Sequence, residues 1–137
     1  DDIVLIHDAI RPMVSEEIIS DCIRVTKEKG NAITVIPCAE AMLVSESQTD
    51  STEIYNRDHL KRTQTPQAFY IKDICDLHRE AIEKGILNSV ASCTLMVELG
   101  KEVYFSKGSE KNVKLTTVED LDIFKALLTL KRSEWLR

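Results

Sequence analysis

The chain opens with an uninterrupted apolar run, Ile3 to Ile6, before polar residues arrive at His7 and Asp8. A run with no polar face suits a strand covered on both sides, as in a parallel sheet. A helix follows. Ser15 is placed to cap it, and Glu16 and Glu17 fall in the first turn, where acids suit the positive end of the helix dipole. Ile18, Ile19, Cys22, Ile23 and Thr26 recur at helical spacing, and Gly30 ends the segment. Ala32 to Ile36 is a second buried strand. Strand, helix, strand in this length predicts a βαβ unit. The expected fold is therefore α/β, with a mostly parallel, doubly wound sheet.

From Cys38 to Arg62 the pattern changes. Met42 to Val44 and Glu53 to Tyr55 are short β-like pieces around a polar turn, with too few apolar residues for a core of their own. The segment 38–62 predicts a β-hairpin arm standing off the sheet, which either waves in solvent or packs on a second subunit. The pattern then predicts a strand over 65–70, a helix over 71–84 and a helix over 90–99. Strands follow over 103–105 and 113–115. Thr116-x-x-Glu119 has the form of a capping box and opens a last helix through Leu121, Phe124, Leu127 and Leu128.

With 137 residues the chain fits one domain, 1–137, with the arm inside it. A net charge of −5 argues against a broad nucleic-acid surface, which needs clustered Lys and Arg. No apolar run approaches the ~20 residues of a membrane span. The four cysteines, Cys22, Cys38, Cys75 and Cys93, are widely scattered. That scatter fits reduced thiols in a cytoplasm better than a disulfide frame or a zinc site. The first residue is Asp1, and a buried-looking strand begins almost at once, so a preceding segment is expected to be missing.

Three segments concentrate candidate chemistry. In open α/β sheets, ligands bind beyond the carboxyl ends of strands. Asp8 has that position. It either serves a ligand, as a partner for a divalent metal or a nucleotide hydroxyl, or caps its turn and pairs with Arg11. In "NRDHLKRTQTPQAF", Arg57, Lys61 and Arg62 either grip a phosphate or form a solvated basic stretch. In "SEKNVKLTTVEDL", Lys114 heads toward a helix N-terminus, which favours an anion; the other reading is an exposed edge lysine. His7, lone on an apolar strand, reads as a hydrogen-bonded core residue. No Ser/His/Asp order and no metal-ligand cluster is visible.

Together "HDAIRP", "KRTQTPQAF" and "NVKLTTVEDL", in this order and spacing, resemble the cytidylyltransferases that act on polyol phosphates. These are the methylerythritol phosphate enzyme of isoprenoid synthesis and its ribitol phosphate relative of teichoic acid and capsule synthesis. The resemblance implies a Rossmann-like α/β sheet and transfer of CMP from CTP to a polyol phosphate, with Mg2+, in a homodimer joined by interlocking arms. It assigns Asp8, Ala9 and Arg11 to the nucleotide, with Asp8 also near the metal. It makes Arg57 and Lys114 the catalytic, acceptor-positioning cations and puts Thr65 in the substrate pocket. The family's glycine-rich phosphate loop has no counterpart here. The chain is therefore expected to be the C-terminal part of the enzyme and inactive alone. A non-catalytic module binding a nucleotide or a partner is the alternative. Glu40-Ala41 and Val90-Ala91 stand where the family often has Asp-Thr and Thr-Asp, which leaves the acceptor open.

Overall fold

The computed structural model describes residues 2–135. Its elements are β1 (Ile3–Ile6), α1 (Glu16–Lys29), β2 (Asn31–Pro37), β3 (Met42–Val44) and β4 (Glu53–Tyr55). A 3-10 turn (Arg57–His59), β5 (Lys61–Tyr70), α2 (Ile71–Glu83), α3 (Ser92–Glu98), β6 (Phe105–Lys107) and α4 (Val118–Trp135) follow. Four strands form the main sheet in the order β1-β5-β2-β6, and β3 and β4 form the separate hairpin of the arm.

The expected mostly parallel pairing is corrected here. β1 and β2 do not pair; β5 lies between them, antiparallel to both, and only β2 and β6 pair in parallel. β1, β2 and β6 do run the same way, as α1 returns the chain to start β2 in the direction of β1. The hydrophobic pattern records that each strand is covered, not which neighbour covers it. The pairing leaves the carboxyl ends of β1, β2 and β6 and the first half of β5 at one end of the sheet.

Alternation on the pleat divides the core. Ile33 and Phe69 pack on one face with Ile74, Leu77 and Ala81 of α2 and Cys93 and Leu95 of α3. Their neighbours Ala32 and Ala68 face the other way, against Cys22 and Val25 of α1. Burial among apolar neighbours pushes the Cys22 thiol up. The caps of α1 are those expected: Ser15 Oγ accepts from Ile18 N–H at 3.3 Å, and Gly30, at φ 101°, closes the helix with a left-handed turn.

β5 carries an irregularity that matters for the site. Ile33 pairs with Gln67 but Val35 pairs with Thr63, so Gln64, Thr65 and Pro66 stand opposite Thr34 alone. A bulge is where a central strand tolerates proline, which has no N–H for the ladder. Thr34 Oγ1 donates to the Pro66 carbonyl at 2.6 Å, and the Thr65–Pro66 peptide is cis.

Two further expectations change. The edge strand is Phe105–Lys107, two residues later than predicted, and 113–115 is not a strand. Leu115 N–H donates instead to the Ile10 carbonyl at 2.8 Å, so this segment is tied to the loop after β1 and not to a ladder. The capping box also lies one residue on. Thr117 Oγ1 accepts from Asp120 N–H at 3.2 Å, and Asp120 Oδ2 accepts from Thr117 N–H at 2.8 Å. Among the described residues no helix is long and apolar enough to cross a membrane.

Candidate active site

The chain leaves β1 through a tight turn, in which Arg11 N–H donates to the Asp8 carbonyl at 3.0 Å. The turn folds the Arg11 side chain back over Asp8, with Nε 3.1 Å from Oδ2. Both sequence readings of Asp8 therefore stay open: it pairs with Arg11, and it does so at the ligand-side end of the strand. Arg11 is well covered, at 11% side-chain exposure, and its Nη1 donates to the Asn112 carbonyl at 2.7 Å. Ala9 is exposed within the turn and offers the site only its backbone.

The β6–α4 loop is held against β5, beside this turn, by buried amides. Asn112 Nδ2 donates to Gln64 Oε1 at 3.1 Å and to the Thr65 carbonyl at 2.9 Å. Gln64 also holds the loop at Ser109, donating to its carbonyl and accepting from its N–H. These contacts carry Lys114 to the same place: its Nζ lies 3.8 Å from Asp8 Oδ2, with the side chain 46% exposed. Asp8, Arg11, Thr65 and Lys114, drawn from three separate motifs, thus share one end of the sheet.

The helix N-terminus next to Lys114 is not the anion site that the sequence suggested. Asp120 Oδ2 already accepts from the Thr116 and Thr117 N–H groups at 2.9 and 2.8 Å. Those backbone hydrogen bonds hold its carboxyl below the usual range. An anion in this site meets the Lys114 ammonium, not the helix end.

Arg57 is elsewhere. It lies on the 3-10 turn at the foot of the arm and donates to the Ala39 carbonyl. It lines an open concavity with Met42, Leu43, Ile54 and Tyr55. None of the contacts of the described residues joins Arg57 to Asp8, Thr65 or Lys114.

His7, read from the sequence as a core residue, is exposed and central to the cluster. Its Nδ1 is 2.9 Å from Thr65 Oγ1 and its Nε2 is 2.9 Å from the Arg11 carbonyl. Thr65 Oγ1 also accepts from Asp8 N–H at 2.9 Å. The available signal was its place at the strand end beside Asp8. Gln64 and Asn112 gave none, since buried amides leave no mark on hydrophobic periodicity.

Among the described residues no three His, Cys, Asp or Glu side chains gather as a metal cage. A Mg2+ ion held by one carboxylate and by substrate phosphates needs no such cage. Asp8 fits that role: Arg11 and Lys114 both lie on Oδ2, and no hydrogen bond from a described residue reaches Oδ1.

Comparison with known proteins identifies the family. Residues 1–130 match the family described as IspD, 2-C-methyl-D-erythritol 4-phosphate cytidylyltransferase. The chain is 44% identical over 133 residues to a ribitol-5-phosphate cytidylyltransferase of Lacticaseibacillus paracasei, covering 96% of this chain and 57% of that protein. It is 36% identical over 134 residues to one of Streptococcus agalactiae, covering 98% and 56%. The chain thus spans little more than half the length of these relatives. Among solved structures, it resembles the 2-C-methyl-D-erythritol 4-phosphate cytidylyltransferase of Thermus thermophilus. The TM-score is 0.82 and the identity 28%, covering 91% of this chain and 61% of that one.

Proposed function

The chain belongs to the 2-C-methyl-D-erythritol 4-phosphate cytidylyltransferase family, and from that premise we propose that the protein transfers CMP from CTP to a polyol phosphate. The observation that carries the proposal is the convergence of Asp8, Arg11, Thr65 and Lys114 at one end of the sheet. The acceptor we propose is ribitol 5-phosphate, on the strength of the 44% identical relative of that name, and Ala41 in place of a family threonine is in keeping with a changed acceptor pocket. The setting is then cytoplasmic synthesis of a wall or capsule polymer precursor.

In the proposed reaction an acceptor phosphate oxygen attacks the α-phosphorus of CTP in line, and pyrophosphate leaves. Two polyanions must meet, so positioning and charge neutralisation do most of the work and no covalent nucleophile is required. Lys114 holds the acceptor phosphate. Asp8 orients the nucleotide side, with Arg11 fixing its carboxylate. Mg2+ bound at Asp8 would neutralise charge on the triphosphate. Lys114 Nζ lies 3.8 Å from Asp8 Oδ2, so the substrate phosphate competes with that carboxylate for the ammonium.

Arg57 reaches the acceptor phosphate in this scheme from a second subunit. The arm carrying it exposes Leu43, Ile54 and Tyr55, which a partner arm would cover. A homodimer with each arm over the other subunit's site reconciles Arg57's role with its distance from Lys114 in one chain.

Full-length protein assayed for pyrophosphate release with CTP and each polyol phosphate tests the reading. Release with ribitol 5-phosphate is expected, and Lys114→Ala should lower kcat/KM for the acceptor on the order of tenfold or more, as loss of a charge-assisted hydrogen bond implies. Release with methylerythritol phosphate alone changes the acceptor. No release with either leaves the non-catalytic nucleotide- or partner-binding module standing.

A further inference from the structure

We propose that His7 is a positioning residue that sets the hydrogen-bond polarity of Thr65, so that Thr65 accepts from a polyol hydroxyl and does not donate to a phosphate. The inference rests on the reading of Thr65 as part of the acceptor pocket.

The argument follows from which atoms can donate. The Arg11 carbonyl can only accept, so His7 Nε2, 2.9 Å away, carries the ring proton of the neutral imidazole. Nδ1 is then an acceptor, and its partner at 2.9 Å, Thr65 Oγ1, must donate to it. The one hydroxyl proton of Thr65 is thereby committed to His7. Asp8 N–H, at 2.9 Å, takes one of the two oxygen lone pairs. What remains on Thr65 Oγ1 for a further partner is a lone pair.

A phosphate oxygen carries no proton to offer that lone pair, whereas a polyol hydroxyl does. The rest of the cluster supplies the opposite chemistry, since Lys114 is all donor. Thr65 and Lys114 therefore divide the acceptor: the ammonium takes the phosphate and the threonine takes the chain of hydroxyls. His7 makes this division by holding the threonine proton on the far side. It touches neither substrate in this scheme.

The test uses full-length protein and two substitutions that separate the two ring nitrogens. The Asn amide oxygen reaches the Nδ1 position and can accept from Thr65. Gln reaches the Nε2 position and can donate to Arg11, but leaves the Thr65 proton without an acceptor. His7→Gln should raise the polyol phosphate KM roughly three- to tenfold, as loss of one neutral hydrogen bond implies, with the CTP KM little changed. His7→Asn should recover most of that loss. In a Thr65→Val background, His7→Gln should add nothing, because the partner through which it acts is gone. Long-range 1H–15N spectra of the histidine rings give a readout independent of turnover. His7 should be the Nε2-protonated tautomer, and Thr65→Val should move its Nδ1 resonance. An undiminished His7→Gln effect without the Thr65 hydroxyl, a better result for Gln than for Asn, or an Nδ1-protonated ring overturns the proposal. A wild-type protein that turns over neither polyol phosphate instead overturns the proposed function, and the ring spectra then decide the His7–Thr65 bond alone.

Discussion

Gly108 closes the end of the sheet that carries the site. Its N–H continues the parallel pairing by donating to the Val35 carbonyl at 2.9 Å. A Cβ there would lie 2.6 Å from Gln64 Oε1 and 2.9 Å from the Val35 carbonyl oxygen, and the second of these is backbone. Gln64 could yield only by letting go of Ser109 and Asn112, the contacts that place the Lys114 loop. Gly108→Ala should therefore destabilise by about 1–3 kcal/mol, the usual cost of forcing atoms into a packed site. A urea midpoint equal to wild type would show that the loop gives way freely. At this scale the sequence disclosed the residues that carry charge. Asp8, Arg11 and Lys114 stand in motifs whose chemistry is visible in one dimension. The groups that hold them did not show, because His7, Gln64 and Asn112 act through partners more than forty residues away.

Helix α1 and the arm were legible because their signals are local. A serine cap, two acids in the first turn and a glycine at the end need no knowledge of the rest of the chain. The direction of β5 was not legible, since an apolar strand reads alike whether its neighbours run with it or against it. The segment around Lys114 was misread as a strand for a related reason: its apolar flanks, Val113 and Leu115, are half-buried against a loop. One contact between elements can be tested by pH. Asp21 of α1 accepts from the Lys107 N–H of β6 at 2.8 Å, and that bond, ahead of the neighbouring Arg24, holds its carboxyl below the usual range. A depressed carboxylate contributes stability that is full above the unfolded pKa, about 3.9, and is lost as pH falls through the lower folded value. Asp21→Asn should cost about 1 kcal/mol at pH 7, and the difference from wild type should shrink as pH falls below the unfolded pKa and through the lower folded one. Denaturation midpoints followed from pH 7 to pH 2.5 measure this, and a difference independent of pH would mean that the charge contributes nothing.

For the whole molecule, the separation of Arg57 from Lys114 makes the proposed dimer testable by complementation. Arg57→Ala and Lys114→Ala proteins, each expected to be impaired on the order of tenfold or more, are unfolded together and refolded as a mixture. If each arm serves the other subunit, half the dimers are mixed and each mixed dimer holds one complete site, so roughly a quarter of wild-type activity should return. No recovery would put Arg57 in its own subunit's site or outside the reaction. The central antiparallel strand has a consequence of another kind, for where this chain can gain or lose codons. β5 sets the register of β1 and β2 at once, from Tyr70 opposite Ile3 to Lys61 opposite Pro37. One residue inserted near Ala68 or Phe69 would turn the inward set of β5 outward in both pairings. The same insertion at the tip of the arm, between β3 and β4, only lengthens an exposed loop, which costs a small fraction of a kcal/mol by loop-closure entropy. Thr65 thus lies on a strand where length is fixed, while Arg57 follows an arm whose tip is free to drift.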